Sequence, residues 1–215
     1  MEKKYELTEE TIEWTAFING SQKVFTLHRI KALKDFSDVK KGDIGGFVEK
    51  ESNLAQDGDC WVYDDAVVYD NAEIYGNAKV YDNAEIYNYA RIYGNAEIRH
   101  RAMVYDNAAV CDNASVGDNA EVYGKAVICD NAGVYDNVIV YENAKVCDNA
   151  DVYENAVIYG HAKVCDNANV YGYARVHDEA LVCDNAAVYG NACVYGKAII
   201  RGNVNVGDYA VMVLL

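Results

Sequence analysis

Residues 68–79 read VYDNAEIYGNAK, and this pair of six-residue units decides the fold. The unit repeats from Val62 to Val211 without insertion or deletion, which gives 25 hexads over 150 residues. Its first position is Val or Ile in all 25 hexads, and its fifth position is Ala in 23. A six-residue period does not keep one face of an α-helix apolar, because a helix turns every ~3.6 residues. A repeat of this strictness predicts a solenoid of stacked coils.

Each hexad predicts one short strand and one corner. The fifth position and the next first position are two residues apart, so their side chains point to the same side of a strand. In the quoted stretch, Ala72 and Ile74 therefore face inward, while Glu73 and Tyr75 face outward. The fourth position is Asn in 16 hexads. Because Asn tolerates the left-handed backbone conformation that a sharp corner needs, that conformation is expected at the fourth position.

The spacing of five cysteines predicts three hexads per coil. All five occupy the second hexad position at intervals of 18 residues: Cys111, Cys129, Cys147, Cys165 and Cys183. Like residues then lie one above another along the rod. The expected fold is all-β: a single-stranded, triangular parallel β-helix over residues 56–215, with 18 residues per coil and about 8 coils. At ~4.8 Å per stacked strand, this rod is about 40 Å long.

Residues 1–55 break the period and are expected to form a small N-terminal β-rich cap. Ile12 to Phe17, the turn Asn19-Gly20-Ser21 and Lys23 to Ile30 predict a β-hairpin. A solenoid ends in an exposed apolar cross-section with unpaired strand edges, so a cap is expected on stability grounds. At the other end, the apolar residues 211–215 are expected to fold over the last coil or to meet another subunit.

The hexad resembles the left-handed β-helix hexapeptide repeat, whose pattern is an aliphatic residue, a small or acidic residue, two free positions, a small residue and a free position. The second position departs from it, with Tyr in 15 hexads and Cys in five. The head is similar to that of YdcK-like bacterial and phage proteins in Gly45-Gly46-Phe47-Val48-Glu49, Asn53-Leu54 and Cys60-Trp61-Val62-Tyr63-Asp64. The resemblance implies left-handed coiling. That family is usually labelled as transferases, by analogy with acyl-CoA-dependent hexapeptide acyltransferases.

The net charge and the cysteine content limit which partners and which cellular compartment are expected. The formal charge is −15, and residues 56–215 carry 24 acidic against 10 basic side chains. An acidic rod disfavours nucleic acid and anionic membranes as partners. The charged start MEKKYELTEE is unlike a signal peptide, and no apolar run is long enough to span a bilayer. Seven cysteines without a signal predict reduced thiols in a bacterial or phage-derived cytoplasm.

One outward face of the rod is expected to bind a second copy of the chain. The outward positions of successive coils fall on three faces of the rod. This first face is the most apolar of the three, and another is more polar. Exposed apolar area marks interfaces, and aromatic residues are enriched there. A homo-oligomer, dimer or trimer, is expected; the alternative is that stacked Tyr rings cover their own sheet. The predicted contact residues are Met103, Tyr105, Ile139, Tyr141, Val157, Tyr159 and Tyr195.

An aspartate directly follows each ladder cysteine. Stacked carboxylates ~5 Å apart repel, so some are expected to take up protons or adventitious cations. A soft-metal site at the thiols is the alternative. A metal site brings different ligands together at one point. Here the same thiol and carboxylate recur in successive coils, which duplication of an 18-residue unit explains. We therefore predict no metal and no cofactor here. The aspartates are Asp112, Asp130, Asp148, Asp166 and Asp184.

The resemblance to hexapeptide acyltransferases implies that catalysis would depend on an outward histidine of the rod. His177 lies on the first face, and His100 and His161 lie at corners. Each could act as a general base, but no nucleophile or orienting partner is recognisable in sequence, and no loop leaves the coil to form a pocket. The leading hypothesis is a self-associating structural or interaction rod without catalytic activity. The alternatives are an acetyl-CoA-dependent acyltransferase acting between subunits, with His177 the first candidate, and a glycan-binding module along a Tyr/Asp groove.

Overall fold

A computed structural model describes residues 2–18 and 20–214 of the chain. Two long strands form an N-terminal hairpin, β1 (Tyr5–Ile18) and β2 (Ser21–Ala32), and β3 (Ile44–Val48) leads into the rod. A 3-10 turn, Glu51–Asn53, follows β3. The described residues form no helix that is long and apolar enough to cross a membrane.

The strands of the rod are short because corners alternate with them. In chain order they are β4 (Trp61–Val62), β5 (Val67–Val68), β6 (Glu73–Ile74), β7 (Lys79–Val80), β8 (Glu85–Ile86), β9 (Arg91–Ile92), β10 (Glu97–Ile98), β11 (Met103–Val104), β12 (Ala109–Val110), β13 (Ser115–Val116), β14 (Glu121–Val122), β15 (Val127–Ile128), β16 (Gly133–Val134), β17 (Ile139–Val140), β18 (Lys145–Val146), β19 (Asp151–Val152), β20 (Val157–Ile158), β21 (Lys163–Val164), β22 (Asn169–Val170), β23 (Arg175–Val176), β24 (Leu181–Val182), β25 (Ala187–Val188), β26 (Cys193–Gly196), β27 (Ile199–Ile200), β28 (Asn205–Val206) and β29 (Val211–Leu214).

These strands form three sheets, one for each side of the triangular rod. The Tyr sheet runs β1-β2-β3-β5-β8-β11-β14-β17-β20-β23-β26-β29. The Cys sheet runs from β6 to β27, and the polar sheet runs from β4 to β28, each through every third strand. Parallel neighbours are 18 residues apart, as Ile139 and Val157 are. The left-handed parallel β-helix with 18-residue coils is therefore confirmed.

The rod has about nine coils rather than the expected eight. The additional coil lies before Val62, where the sequence period is broken. There β3 pairs in parallel with β5, and Leu54 forms a parallel bridge with Ile74. Backbone pairing begins before the hexad pattern does, because hydrogen bonding to the next coil does not require the consensus side chains.

The core confirms the inward and outward assignment of the hexad. Ala72 and Ile74 are at most 1% exposed, and the first- and fifth-position residues, except Val204 in the last coil, form one continuous apolar core along the rod. Glu73 is exposed and Tyr75 half-buried. Burying one Val or Ile side chain contributes about 1.5–3 kcal/mol relative to leaving it exposed. Repetition of this small contribution in every hexad stabilises a rod that has no thick core.

The left-handed corner lies one position earlier than the sequence predicts. All 25 third positions, from Asp64 to Asp208, have φ between 52° and 76°, and no fourth position does. The carboxylate of Asp112 accepts a hydrogen bond from the backbone N–H of Asp130 at 3.4 Å, which links one coil to the next. Fourth-position amides form a separate ladder, in which Asn113 Nδ2 donates to Asn131 Oδ1 at 3.0 Å. Asn is therefore selected for the amide ladder and Asp for the strained corner.

Gly124 allows this corner rule to be tested. Its φ is 71°, and a Cβ there would lie 2.7 Å from the backbone nitrogen of Glu142. Asp106 and Glu142 nevertheless occupy the same corner in the adjacent coils. We expect Gly124→Asp to change the free energy of unfolding by less than about 1 kcal/mol. Gly124→Val should lose about 2–3 kcal/mol in urea denaturation, because a β-branched residue is an outlier at positive φ. Equal stability of the two variants would contradict the rule.

The hairpin covers both the end and one side of the rod. Its base covers the N-terminal cross-section, where Tyr5 and Ile30 join the main core beside Trp61. Its distal half packs on the outer surface of the Tyr sheet, where Phe25 lies 4.8 Å from Tyr69 between ring centroids. The predicted hairpin is thus present and longer than expected at both ends. Asn19 of its predicted turn lies outside the described residues.

The C-terminal stretch extends the Tyr sheet and does not fold over the last coil. β29 pairs in parallel with β26, and all four residues of β29 are exposed. Its final neighbour, Leu215, lies outside the described residues. The exposed apolar side chains of the last coil also include Ile199, Val204 and Tyr209.

Candidate functional site

A ladder of eight stacked rings runs along the outside of the Tyr sheet. Ring centroids of neighbours lie 4.6–5.2 Å apart, and their planes differ by at most 11°. The flat faces of the inner rings are therefore covered by neighbouring rings. Sugars stack on ring faces, so this arrangement weakens the basis for glycan binding. The rings are those of Tyr69, Tyr87, Tyr105, Tyr123, Tyr141, Tyr159, His177 and Tyr195.

The predicted contact residues all lie on this outer surface of the Tyr sheet. Met103, Ile139 and Val157 are half-buried, as are the Tyr residues among them. The first coils of the same surface are covered by the hairpin, whose Trp14 donates a hydrogen bond from Nε1 to Glu85 Oε1 at 3.2 Å. Only the later coils of this surface are therefore free to bind another molecule.

The five ladder cysteines lie in a row on the Cys sheet, as expected. Four of them are buried and form an apolar cluster, and Cys183 packs against it half-buried. The Cys129 thiol donates a hydrogen bond to Asp130 at 3.2 Å. Burial, together with this carboxylate, raises the pKa of Cys129 to about 12. The thiols of the ladder are therefore protonated and unreactive near neutral pH.

Three groups of this ladder are where a thiophilic cation would bind. Each combines one thiol with two carboxylates from adjacent coils, and its ligand atoms lie within 4.8 Å of one another. Lys145 and Lys163 extend from the same sheet, and each interacts electrostatically with neighbouring thiols of the ladder. The absence of a metal site stays a prediction. The groups are Asp112/Cys129/Asp130, Asp130/Cys147/Asp148 and Asp166/Cys183/Asp184.

Two of the three candidate histidines lie at corners, as the sequence predicts. His100 replaces the corner aspartate, and its Nδ1 accepts a hydrogen bond from the Asp118 backbone N–H at 3.2 Å. Its imidazole thus substitutes for the carboxylate that elsewhere links two coils. His161 is exposed at another corner, where its backbone N–H donates to Asp178 O at 2.6 Å. The His100 position therefore has an architectural explanation, and the contact of His161 is one that its backbone alone provides.

His177 differs, because the structure brings a nucleophile and an acid beside it. Its Nε2 lies 3.5 Å from the Cys193 thiol, and its Nδ1 lies 3.3 Å from Asp178 Oδ1. The ring is held between Tyr159 and Tyr195, at 4.6 and 5.1 Å between centroids. The sequence shows no recognisable nucleophile or orienting partner for His177, and the structure brings Cys193 and Asp178 beside it. Sequence reasoning missed Cys193 because it lies 16 residues away, in the next coil.

The corner holds Asp178 in place for this contact. Its φ is 58°, and its Oδ2 accepts the Gly196 backbone N–H at 3.1 Å. That hydrogen bond, with His177 beside it, lowers the pKa of the Asp178 carboxyl. An ionised carboxylate near Nδ1 favours the tautomer that carries its proton there, leaving Nε2 as an acceptor for the thiol proton. Burial raises the pKa of Cys193, while the positive charge of Arg175 opposes the increase.

A shallow surface groove adjoins the thiol. It is lined by Tyr173, Arg175, Asn191 and Cys193. Arg175 and Cys193 are register partners on β23 and β26, so their side chains leave the same face of neighbouring strands. The groove gives an approaching carbonyl compound access to the sulfur, with a cation and an amide beside it.

The three stacked sheets and the 18-residue coils define a parallel β-helix. No protein-family model matches the chain. A segment of 62 residues is 42% identical to the protein named uncharacterized acetyltransferase YdcK, from Escherichia coli (strain K12). That segment is 29% of this chain and 19% of the relative, so the match spans about a fifth of that protein's length. The match and the fold confirm the resemblance to YdcK-like hexapeptide-repeat proteins.

Proposed function

We propose that this chain is a structural or interaction rod that self-associates through the outer surface of its Tyr sheet. One observation carries the proposal: the chain already covers the first coils of that surface with an apolar β-element of its own. Trp14 and Phe25 pack there against Tyr69. Further along, Ile139 and Val157 continue the same surface, and the hairpin packs only against its earlier coils. A second copy fits as occupant because the surface is apolar and a two-fold contact pairs the same patch on both subunits.

The rest of the rod supports a mechanical role. Its register is unbroken through 25 hexads, and its interior consists almost entirely of Ala, Val and Ile. Such a rod holds bound partners at fixed spacings. A cytoplasmic location is part of the proposal and is supported by seven free thiols.

Light scattering of the full chain tests self-association. We expect a dimer or trimer at micromolar concentration, and a stronger complex at raised salt because a net charge of −15 opposes contact between copies. Ile139→Asp should give a monomer, since it places a carboxylate in the contact. Asn169→Asp, on the polar sheet, is the matched control and should leave the mass unchanged. Val213→Asp separates contact through the last coil from contact through the side.

Either of two results would overturn this proposal. A wild-type chain that is monomeric at all salt concentrations excludes self-association. An oligomer that survives Ile139→Asp but is lost in Val213→Asp places the contact at the exposed last coil instead.

Acyl transfer is a second candidate function. The observation that favours it is the contact between His177 and Cys193, flanked by Asp178. The acetyltransferase name of the relative agrees with it. This function would use acetyl-CoA as donor, and the Tyr-sheet complex would place a second subunit near the groove.

A further inference from the structure

The repeat provides an internal comparison for the region around Cys193. Among the 25 hexads, Cys193 is the only cysteine at a sixth position, and His177 is the only residue other than Tyr in the eight-ring ladder. Arg175 is the register partner of Cys193. Duplication of an 18-residue unit reproduces equivalent residues coil after coil, and it does not explain why a histidine, a cysteine and an arginine meet in two adjacent coils.

His177 connects the Cys193 thiol to the carboxylate of the corner residue Asp178. The sulfur of Cys193 is 3.5 Å from His177 Nε2, which is within hydrogen-bonding reach for a thiol. The Asp178 carboxylate lies 3.3 Å from the opposite ring nitrogen and is itself held by Gly196 N–H. The five ladder cysteines lack such a base, since four of their thiols donate to an aspartate instead. Cys193 is also half-buried and opens to a groove.

We propose that Cys193 is a nucleophile that accepts an acyl group from a thioester, with His177 as its general base and Asp178 as the residue that orients the imidazole. His177 Nε2 takes the thiol proton as the sulfur attacks the thioester carbonyl. The carbon–sulfur bond of the donor then breaks, and the leaving thiolate takes the proton back from His177. The products are an S-acylated Cys193 and the free donor thiol, so no oxidant, reductant or metal is required.

Arg175 gives the site its electrostatic selectivity. Arg175 is the register partner of Cys193, and its positive charge favours the thiolate. The same charge would stabilise the negative oxygen that forms on the attacked carbonyl. The surrounding rod is strongly acidic and repels anions, so an anionic acyl carrier would depend on the positive charge of Arg175 for local binding. The substrate class is therefore an acyl thioester whose carrier bears negative charge.

Incubation of the full chain with acetyl-CoA, followed by an acid quench and peptide mass spectrometry, tests the proposal. We expect an acetyl group on the Cys193 peptide and none on the five ladder cysteines. His177→Tyr is the matched control, because it restores the consensus ring and the stacking while removing the base. Its acylation rate should be about 100-fold lower, in line with the usual contribution of a general base.

Arg175→Gln is expected to slow acylation by acetyl-CoA more than acylation by a small uncharged acetyl thioester. Labelling of Cys193 no faster than Cys183, or equal labelling in His177→Tyr, would overturn the proposal. This inference rests on the second candidate function and not on self-association. If Cys193→Ser still transfers acetyl groups to an amine, the thiol role fails while acyl transfer stands. If Cys193 is acylated but no amine accepts the group, the thiol role stands and transfer fails.

Discussion

Val140→Asp is expected to unfold the central coils, whereas Ile139→Asp should leave the coil intact. The two residues are adjacent on β17 and face opposite ways. Val140 is 0% exposed and lies between Val122 and Ile158 in the core, while Ile139 is half-buried on the outer surface. A carboxylate at position 140 would have no partner in an apolar stack, which costs several kcal/mol. Natural domains are stable by only about 5–15 kcal/mol.

Urea denaturation followed by circular dichroism measures this difference. Because each coil contacts only its neighbours, Val140→Asp should also divide the rod and lower the cooperativity of its unfolding. Ile139→Asp should shift the midpoint of unfolding little, and its main effect should be on self-association. Equal midpoints for the two variants would show that the inward and outward assignment has no energetic meaning.

The second large effect is expected at Lys4, whose buried ammonium anchors the hairpin to the first corner. Lys4 is 1% exposed, and its Nζ donates to Cys60 O at 2.9 Å and to Asp57 O and Gly58 O at 3.3 Å each. Lys4→Met keeps the volume and removes the donor from three carbonyl groups. Hydrogen bonds to a charged group contribute about 1.5–3 kcal/mol, so we expect a loss of about 3 kcal/mol in the free energy of unfolding.

Lys3→Met is the matched control in the adjacent position. Lys3 forms an exposed ion pair with Glu51 at 2.5 Å, and exposed pairs contribute at most about 1 kcal/mol. Hydrogen exchange should show faster opening of β1 and the first corner in Lys4→Met only. Equal losses in the two variants, or no loss in Lys4→Met, would exclude an anchoring role for the buried ammonium.

The sequence predicts the rod well because its period is a geometric constraint. The 18-residue spacing of Cys111 and Cys129 translates directly into three sides and in-register stacking. The corner assignment is wrong by one position because Asp and Asn are both turn residues, and composition does not reveal which carboxylate meets which N–H in the next coil. Backbone pairing around Leu54 is missed because it does not depend on the consensus.

The candidate site is only partly predictable. His177 is identified from its place in the Tyr ladder, but its contact with Cys193 joins residues 16 apart on different coils. Finding it requires the register together with the direction of each side chain, since Cys193 leaves its strand outward and His177 follows its strand at the corner. The useful signal would have been the residues that differ from their equivalents in the other coils. These residues come together only after the sequence is wound into coils.

The corner ladders have a further consequence for recognition. A partner that binds only consensus residues, such as the amides from Asn77 to Asn185, finds nearly identical positions at each 18-residue step. Its bound states are then degenerate, and it can shift along the rod without losing contacts. The hairpin at one end and the Arg175–Cys193 pair near the other each occur once. A partner that contacts either of them therefore binds at one defined position along the rod.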